Sequence, residues 1–507
     1  MLAPDYLDHA PDRLILLWRQ AEDDILRDVA RRIGKMDALT PTANWQLWRY
    51  QQTEAVRKDV VKLLARYTGK SEAEIRRLMQ EAATAALEAE DEIYYHYGKE
   101  PTPFAENETL QALLNAGYRQ TAGSFSNLTA TTANTVSGAF EQALDRAWLQ
   151  VSSGAFDYKT AVKRAVDGFA DSMPYVTYPS GHRDTLEVAC RRAVLTGVNQ
   201  TGAKLQEARM DEMGASFVEV TAHGGARPSH AVWQGRRYHR GGAVDYLGQH
   251  YEDFESATGY GTGAGLCGWN CRHTFFVVFP ELGSPPAWTQ ESLEALNARD
   301  IEHDGRLYTR YEISQMQRAR ERAVRKWKRR YLAEDAAGAD TTASAVRLRQ
   351  ARQSLADFTR ATGGRVDSAR TSVHGFGRSE GSKASYAARK QKRFNAANTE
   401  LQQMREAGTI KAKGRLIESP SAPNEINFAS DHVLQRWAER GMGPMDAERI
   451  IRSSKVAMSQ RNGTQTCYYS ELGFVAIGQD GNVSSIGPLD EGGKKLMEVV
   501  KKHGIPH

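Results

Sequence analysis

The stretch from Thr221 to Phe279 decides how this chain is organised. It reads TAHGGARPSHAVWQGRRYHRGG over residues 221–242 and YEDFESATGYGTGAGLCGWNCRHTFF over residues 251–276. Five of the thirteen histidines and two of the four cysteines fall in it, so cysteine and histidine chemistry is concentrated here. The flanking runs SFVEVTAH and HTFFVVFP alternate like strands, and we expect them to bring the ends of a glycine-rich excursion together. Residues 215–287 are therefore predicted to form a small α/β module.

Residues 1–214, before this module, are predicted to be a helical scaffold. Apolar residues recur there every three or four positions, which is the period of amphipathic helices. Ser71 and Glu74 have the spacing of a capping box, which predicts the start of a new helix. Gly154 and Gly214 stand where helices are expected to end.

The composition is that of an ordinary globular protein of about three domains, with 507 residues and 40% hydrophobic residues. No apolar run approaches the roughly 20 residues that a membrane-spanning helix needs, so no such segment is predicted. The N-terminus lacks the features of a signal peptide. Four scattered cysteines are too few for a disulfide framework, which favours a reducing compartment.

Beyond the module the chain becomes strongly basic. Ten lysines and arginines but two acids lie between Arg306 and Arg330. Residues 288–364 are predicted to form basic helices that contact the phosphates of a nucleic acid without sequence preference. The alternatives are contact with an acidic protein partner and a solvated surface. Residues 365–423, rich in Ser, Gly, Lys and Arg, are interpreted as a basic linker that is interrupted by a short helix around residues 394–408. Residues 424–507 are predicted to be an α+β domain with a four-stranded antiparallel sheet.

The cysteines and histidines of the module are candidate zinc ligands. Cys267, Cys271 and His273 supply three donors, and His223 or His230 supplies the fourth. A structural zinc ion suits a small glycine-rich module, because the metal replaces a core that the loop lacks. The alternative is that the thiols are packed and the histidines form hydrogen bonds. A cysteine–histidine nucleophile is a further alternative, although no base, orienting group or oxyanion hole is marked.

Two phrases of the module carry a family resemblance. GARPSHAVWQG at residues 225–235 and GLCGWNCRHTFFVVFPELG at residues 265–283 resemble the phage minor capsid protein 2 family, and the resemblance extends over residues 1 to about 380. The family is similar in role to the Mu F-like head morphogenesis proteins. The resemblance implies a virion protein near the portal that acts in head assembly or in DNA packaging and delivery. Its implied partners are portal and capsid proteins, and its implied locations are the virion and, during assembly, the host cytoplasm.

A second resemblance concerns the C-terminal domain. His432, Arg436 and Arg440 recur at intervals of four, which places them on one helical face. With the strands that follow, this helix resembles the small nuclease domains grouped with barnase, EndoU, the colicins E5 and D, and RelE. The resemblance implies a metal-independent ribonuclease that needs no cofactor and acts on host RNA as a delivered effector. His432 would be the general acid or base, the arginines would stabilise the phosphorane, and the strand-side group would be Tyr468, Tyr469 or Ser485. The alternative is a purely structural protein with an inactive C-terminal domain.

Overall fold

The structure is a computed structural model that describes residues 2–36, 42–172, 175–177, 182–420, 426–428 and 431–506. The chain divides into two compact units, Met1–Ser379 (unit 1) and Glu380–His507 (unit 2). Unit 1 is mainly helical with small sheets, and unit 2 packs helices on an antiparallel sheet. The predicted mainly helical, multidomain class is confirmed. Among the described residues, no helix has the length and apolar character needed to span a membrane.

Six helices and one short hairpin form the scaffold of unit 1. In chain order they are α1 (Pro4–His9), α2 (Asp12–Gly34), α3 (Thr42–His96), α4 (Glu108–Ser152), α5 (Tyr158–Ser172), β1 (Tyr175–Thr177), β2 (Arg183–Thr185) and α6 (Leu186–Met213). Asn107 caps α4 and Thr185 caps α6, each accepting a hydrogen bond from a first-turn N–H. Gly154 and Gly214 have φ of 71° and 65° and follow α4 and α6, as predicted.

The predicted helix start at Ser71 and Glu74 is wrong, because α3 runs through both residues. Ser71 is fully buried, donates to the carbonyl oxygen of Tyr67 (2.8 Å) and accepts from the indole N–H of Trp18 (2.9 Å). A serine hydroxyl that bonds back to the preceding turn and to a core tryptophan does not need a helix end. Glu74 pairs with Arg77 on the next turn.

The long helices α4 and α6 approach each other at two glycines. A methyl group on Gly117 would lie 2.1 Å from Oγ1 of Thr201, and one on Gly197 would lie 2.2 Å from Oγ1 of Thr121. Each helix thus carries a glycine and, four residues later, a threonine. The glycine of one helix contacts the threonine of the other. The absence of side chains at these positions permits the close packing.

The module forms a three-stranded antiparallel sheet in the order β4-β3-β7. Its elements are β3 (Phe217–Val220), α7 (Pro228–Ala231), β4 (Arg237–His239), the hairpin β5 (Val244–Tyr246) and β6 (Gln249–Tyr251), α8 (Phe254–Thr258) and β7 (Phe275–Val277). Val218 of β3 pairs with Val277 of β7. The two predicted strands therefore do join the ends of the excursion.

The basic segment of unit 1 is helical, as predicted, and some of the charges of its longest helix face the scaffold. Its elements are α9 (Gln290–Leu296), the hairpin β8 (Arg299–His303) and β9 (Arg306–Thr309), α10 (Arg310–Ala336), α11 (Thr342–Ala361) and α12 (Ser368–Thr371). From α10, Arg329 pairs with buried Asp23 at 2.7 Å and Arg330 with Asp167 at 2.6 Å. Part of the positive charge that indicated a DNA-binding surface is therefore used in intramolecular ion pairs.

Unit 2 contains a five-stranded antiparallel sheet in the order β10-β11-β12-β13-β14, where the sequence predicted four strands. Its elements are α13 (Arg378–Glu406, beginning at the boundary), β10 (Arg415–Glu418), α14 (Asp431–Glu439), α15 (Pro444–Ser453), β11 (Val456–Gln460), β12 (Gln465–Ser470), β13 (Gly473–Gly478), β14 (Val483–Gly487) and α16 (Glu491–Lys502). The additional strand, β10, lies in the predicted linker. The short helix predicted there lies within α13, but the prediction of a linker is wrong for the rest of α13 and for β10, which contributes Leu416 to a core.

The sheet of unit 2 separates two hydrophobic cores. On one face, Trp437 of α14 and Ile450 of α15 pack with Val475 of β13. On the other face, helices α13 and α16 pack with Tyr469 and Met458, and Leu496 of α16 is fully buried there. Successive residues of a strand point to opposite faces, so β10 to β13 each contribute to both cores, whereas β14 contributes only to the core on the α14 face.

Candidate metal centre

Close backbone approaches explain why the loop before β7 is rich in glycine. A methyl group on Gly265 would lie 1.9 Å from the carbonyl oxygen of Gly259, and one on Gly268 would lie 2.5 Å from that of Gly263. Between these glycines Cys267 adopts a left-handed backbone with φ of 56°. Strained, tightly folded loops of this kind are frequent at functional sites.

Three buried side chains converge at this loop: His230 of α7, and Cys271 and His273 just before β7. We call these three residues the His/Cys cluster. Sγ of Cys271 lies 3.7 Å from Nδ1 of His230 and 3.6 Å from Nδ1 of His273. One ligand atom from each residue lies within 4.8 Å of the other two, so a single metal ion can reach all three.

The second ring nitrogen of each histidine is held by an acceptor. Nε2 of His230 lies 2.9 Å from the carbonyl oxygen of Ala264, and Nε2 of His273 lies 2.9 Å from Oε1 of Gln234. The same Oε1 accepts from the backbone N–H of His223, which sets the orientation of the amide. A ring nitrogen that donates leaves the other nitrogen with a lone pair, so this arrangement aims both Nδ1 atoms at the metal position.

His230 has a competing contact. Nε of Arg227 lies 2.8 Å from the same Nε2, and a guanidinium can only donate. The two contacts therefore require opposite tautomers of His230. A metal bound at Nδ1 would select the tautomer in which Nε2 donates to the carbonyl oxygen of Ala264.

Burial sets the protonation of the cluster. It lowers the pKa of His230 to about 4 and holds the pKa of His273 well below its usual value, so both rings are neutral near pH 7. It also raises the pKa of the Cys271 thiol, which a metal would deprotonate on binding. A buried thiol with a raised pKa is a poor nucleophile, which argues against a cysteine–histidine enzyme.

The predicted zinc ligands are only in part those of the cluster. Cys271 and His273 belong to it, and its third member is His230, the alternative to His223. The His223 ring stacks on that of His273 with centroids 4.4 Å apart, and its Nδ1 lies 3.1 Å from the carbonyl oxygen of Gly224. Cys267 is buried beside the cluster, and its Sγ lies 3.6 Å from the carbonyl oxygen of His273.

Two residues that sequence reasoning missed support the cluster. Asn199 of α6 is fully buried, and its amide donates to the carbonyl oxygens of Cys271 (3.1 Å) and His273 (3.0 Å). Gln234 orients His273 and lies four residues after His230. Its place in the phrase GARPSHAVWQG was a usable signal, whereas nothing local to α6 marked Asn199.

The residues of the predicted nuclease site lie on both faces of the unit 2 sheet. Tyr469 is buried with α13 and α16, and Ser485 pairs with Ala476 of the same core. Burial raises the pKa of Tyr469, which disfavours proton transfer by its hydroxyl. Helix α14 packs on the opposite face, where Arg440 donates to the carbonyl oxygen of Ile486 at 2.8 Å. The side chains of His432 and Arg436 lie outside the described residues.

The fold and the cluster together define a mainly helical protein built around a small histidine–cysteine module. Residues 2–360 match the model of the family described as phage minor capsid protein 2, and the chain belongs to that family. It is thus a phage head protein of the virion, with other capsid proteins as its class of partner. No curated protein and no solved structure matched the chain.

Proposed function

We propose that this head protein acts near the portal, in head assembly or in DNA packaging and delivery. The family match over residues 2–360 carries the proposal, because it spans the scaffold, the module and the basic helices of unit 1. Portal proteins are then its closest partners in the virion. Immunogold labelling of purified particles tests this: we expect a few copies at one vertex. Labelling spread over the whole head would contradict the proposal.

We further propose that a zinc ion bound by the His/Cys cluster stabilises the module. Three ligands converge there, both histidines have their second nitrogen held by an acceptor, and the module has only short strands. Zinc in structural sites takes four ligands, so Cys267, His223 or water would complete the set. The ion would add binding free energy to the stability of the module.

Metal analysis of the purified full chain tests the zinc proposal. We expect about one zinc per chain, loss of it in Cys271→Ser, and retention in the matched control Cys467→Ser, whose cysteine is buried in unit 2. Cobalt substitution should give a thiolate charge-transfer band that is absent in Cys271→Ser. Chelation should lower the unfolding temperature of wild type and of Cys467→Ser, but not that of Cys271→Ser. A zinc content that Cys271→Ser leaves unchanged would reject the site.

Contacts with phage DNA remain part of the proposal, through basic side chains that face solvent. Arg347 and Arg349 of α11 are exposed. Such contacts would be sequence-independent and weaken as salt is raised. Replacing both with glutamine should weaken binding to duplex DNA and flatten its salt dependence, whereas equal binding by the double variant would exclude this surface.

A ribonuclease activity of unit 2 is the second candidate. The row His432, Arg436 and Arg440 on and just after α14 favours it, whereas Tyr469 and Ser485 point to the other face of the sheet. Any site would therefore form on the α14 face. Incubation of the full chain with RNA should show cleavage that His432→Ala abolishes and Tyr469→Phe retains. Absence of cleavage by well-folded wild type would leave unit 2 as a structural domain.

A further inference from the structure

A pocket of about 410 Å³ lies in unit 1, and the three residues of the His/Cys cluster form part of its lining. Its walls come from α2, α6, α7, α10, α12 and the loop before β7. Eight arginines and four carboxylates line it, so the wall carries an excess of positive charge. This excess is unusual for a protein interior, where guanidinium groups are generally matched by acids.

The nearby carboxylates are shared between several guanidiniums. Glu187 pairs with both Arg19 and Arg325. Asp8, behind the wall, lies 2.6 Å from Arg191, 3.7 Å from Arg272 and 3.5 Å from Arg370. Neither acid can neutralise all its neighbours. The crowding is costly unless an anion enters the pocket.

Arg318 is the residue that most clearly points to a ligand. It is half-buried in the pocket wall, and no described residue forms a hydrogen bond or an ion pair with it. Burial, followed by the positive charges of Arg370 and Arg191, lowers its pKa, while Asp8 opposes the change. Arg322 lies one turn further along α10, exposed at the same pocket. Five N–H donors of Arg318 are thus available to an acceptor in the pocket.

We propose that this pocket binds a phosphate group through Arg318, Arg322 and Arg370. Phosphate suits it better than a single carboxylate, because its oxygens can accept from several guanidinium forks at once and its charge is larger. The phosphate has two possible sources, free phosphate and the backbone or end of a nucleic acid. This site goes beyond the proposed function, which assigns a zinc ion to the His/Cys cluster but no anion to the arginines of this pocket.

Calorimetric titration of the full chain with pyrophosphate and with a short single-stranded oligonucleotide tests the proposal. We expect Arg318→Gln to weaken pyrophosphate binding about tenfold or more, as expected for a lost charged hydrogen bond. Arg322→Gln, at an exposed position, should weaken it without any effect on folding. The control Arg306→Gln alters an exposed arginine of β9 outside the pocket and should bind as wild type does.

The two probes distinguish the sources. If the oligonucleotide also loses affinity in Arg318→Gln, the phosphate belongs to nucleic acid. If only pyrophosphate binding depends on Arg318, the ligand is a free phosphate compound. Failure of both probes to bind wild type, or equal pyrophosphate binding by wild type, Arg318→Gln and Arg322→Gln, would overturn the proposal.

Discussion

Glu90 of α3 shows how burial changes a single side chain. Its carboxylate is fully buried and accepts from the amide of Gln206 (3.0 Å) and from the backbone N–H of Val277 (3.2 Å). Burial raises its pKa from an ordinary value near 4.5 to about 7, and the nearby Asp91 adds to the rise. The contacts to Gln206 and Val277 oppose the change but do not cancel it. Glu90 therefore links the scaffold to β7, and its raised pKa makes this link sensitive to pH.

Stability should consequently depend on pH through Glu90. Below about pH 4.5 the group is protonated in both states; between 4.5 and 7 only the unfolded state ionises, so the free energy of unfolding falls as pH rises. We expect a loss on the order of 1–3 kcal/mol across this range. Urea unfolding at pH 5 and pH 8 should show that Glu90→Gln reduces this dependence. The exposed Glu88→Gln should retain it, and an unchanged slope in Glu90→Gln would contradict the prediction.

At the site, the residue types were predictable and their partners were not. Cys271 and His273 could be proposed as ligands because they are close in sequence. His230 could only be offered as an alternative to His223, since ring orientation depends on Gln234 and Ala264. Contacts across tens of residues have no local sequence signal.

Among the elements, the crossing of α4 and α6 depends on the paired glycines and threonines. An exposed helical glycine normally gains about 0.5–1 kcal/mol of stability when replaced by alanine. At Gly117 and Gly197 the added methyl would instead lie 2.1 and 2.2 Å from a threonine hydroxyl. Steric exclusion therefore outweighs helix propensity at these two positions.

The effect of a Gly→Ala substitution on the stability of unit 1 should accordingly differ in sign between positions of α4. We expect Gly117→Ala to destabilise unit 1 by about 1–3 kcal/mol, as overpacked cores do. Gly138→Ala, whose methyl would meet nothing within 4 Å, should be neutral or stabilising. Urea unfolding of the two variants measures both effects. If both substitutions stabilised the protein equally, α4 and α6 would not pack this closely at Gly117.

The basic composition of helix α10 did not reveal which partners its arginines have. Its basic composition predicted a surface for DNA, yet Arg329 and Arg330 pair with acids of α2 and α5. Buried ion pairs of this kind need acids supplied by distant segments. Charge counted along one helix cannot show whether such acids are present.

At the scale of the whole molecule, each unit has hydrophobic cores of its own. Unit 1 contains the scaffold and module cores, and unit 2 contains one core on each face of its sheet. The family match ends within unit 1. A substitution in a unit 2 core is therefore expected to leave the metal centre intact.

Leu496→Ala tests this expectation. Leu496 of α16 is fully buried, so its truncation should cost unit 2 about 2–5 kcal/mol. Calorimetry should show one unfolding transition lowered, with the zinc content of the native chain unchanged. The control Leu472→Ala alters an exposed turn and should change neither the unfolding transitions nor the zinc content. Loss of zinc in Leu496→Ala would show that unit 2 supports the module.

Local pattern was enough to predict the helical class, the strands β3, β7 and β11 to β14, the helix ends at Gly154 and Gly214, and the family resemblance. These features follow from periodicity, turn residues and short phrases that are read within a few residues. The uninterrupted α3, the strand β10, the third member of the His/Cys cluster and the inward charges of α10 depended on tertiary contacts. Each is settled by a partner far away in the chain, such as Trp18 for Ser71 or Asp23 for Arg329. Burial and pairing between distant segments therefore decided the chemistry of the site, whereas local periodicity decided the class of the fold.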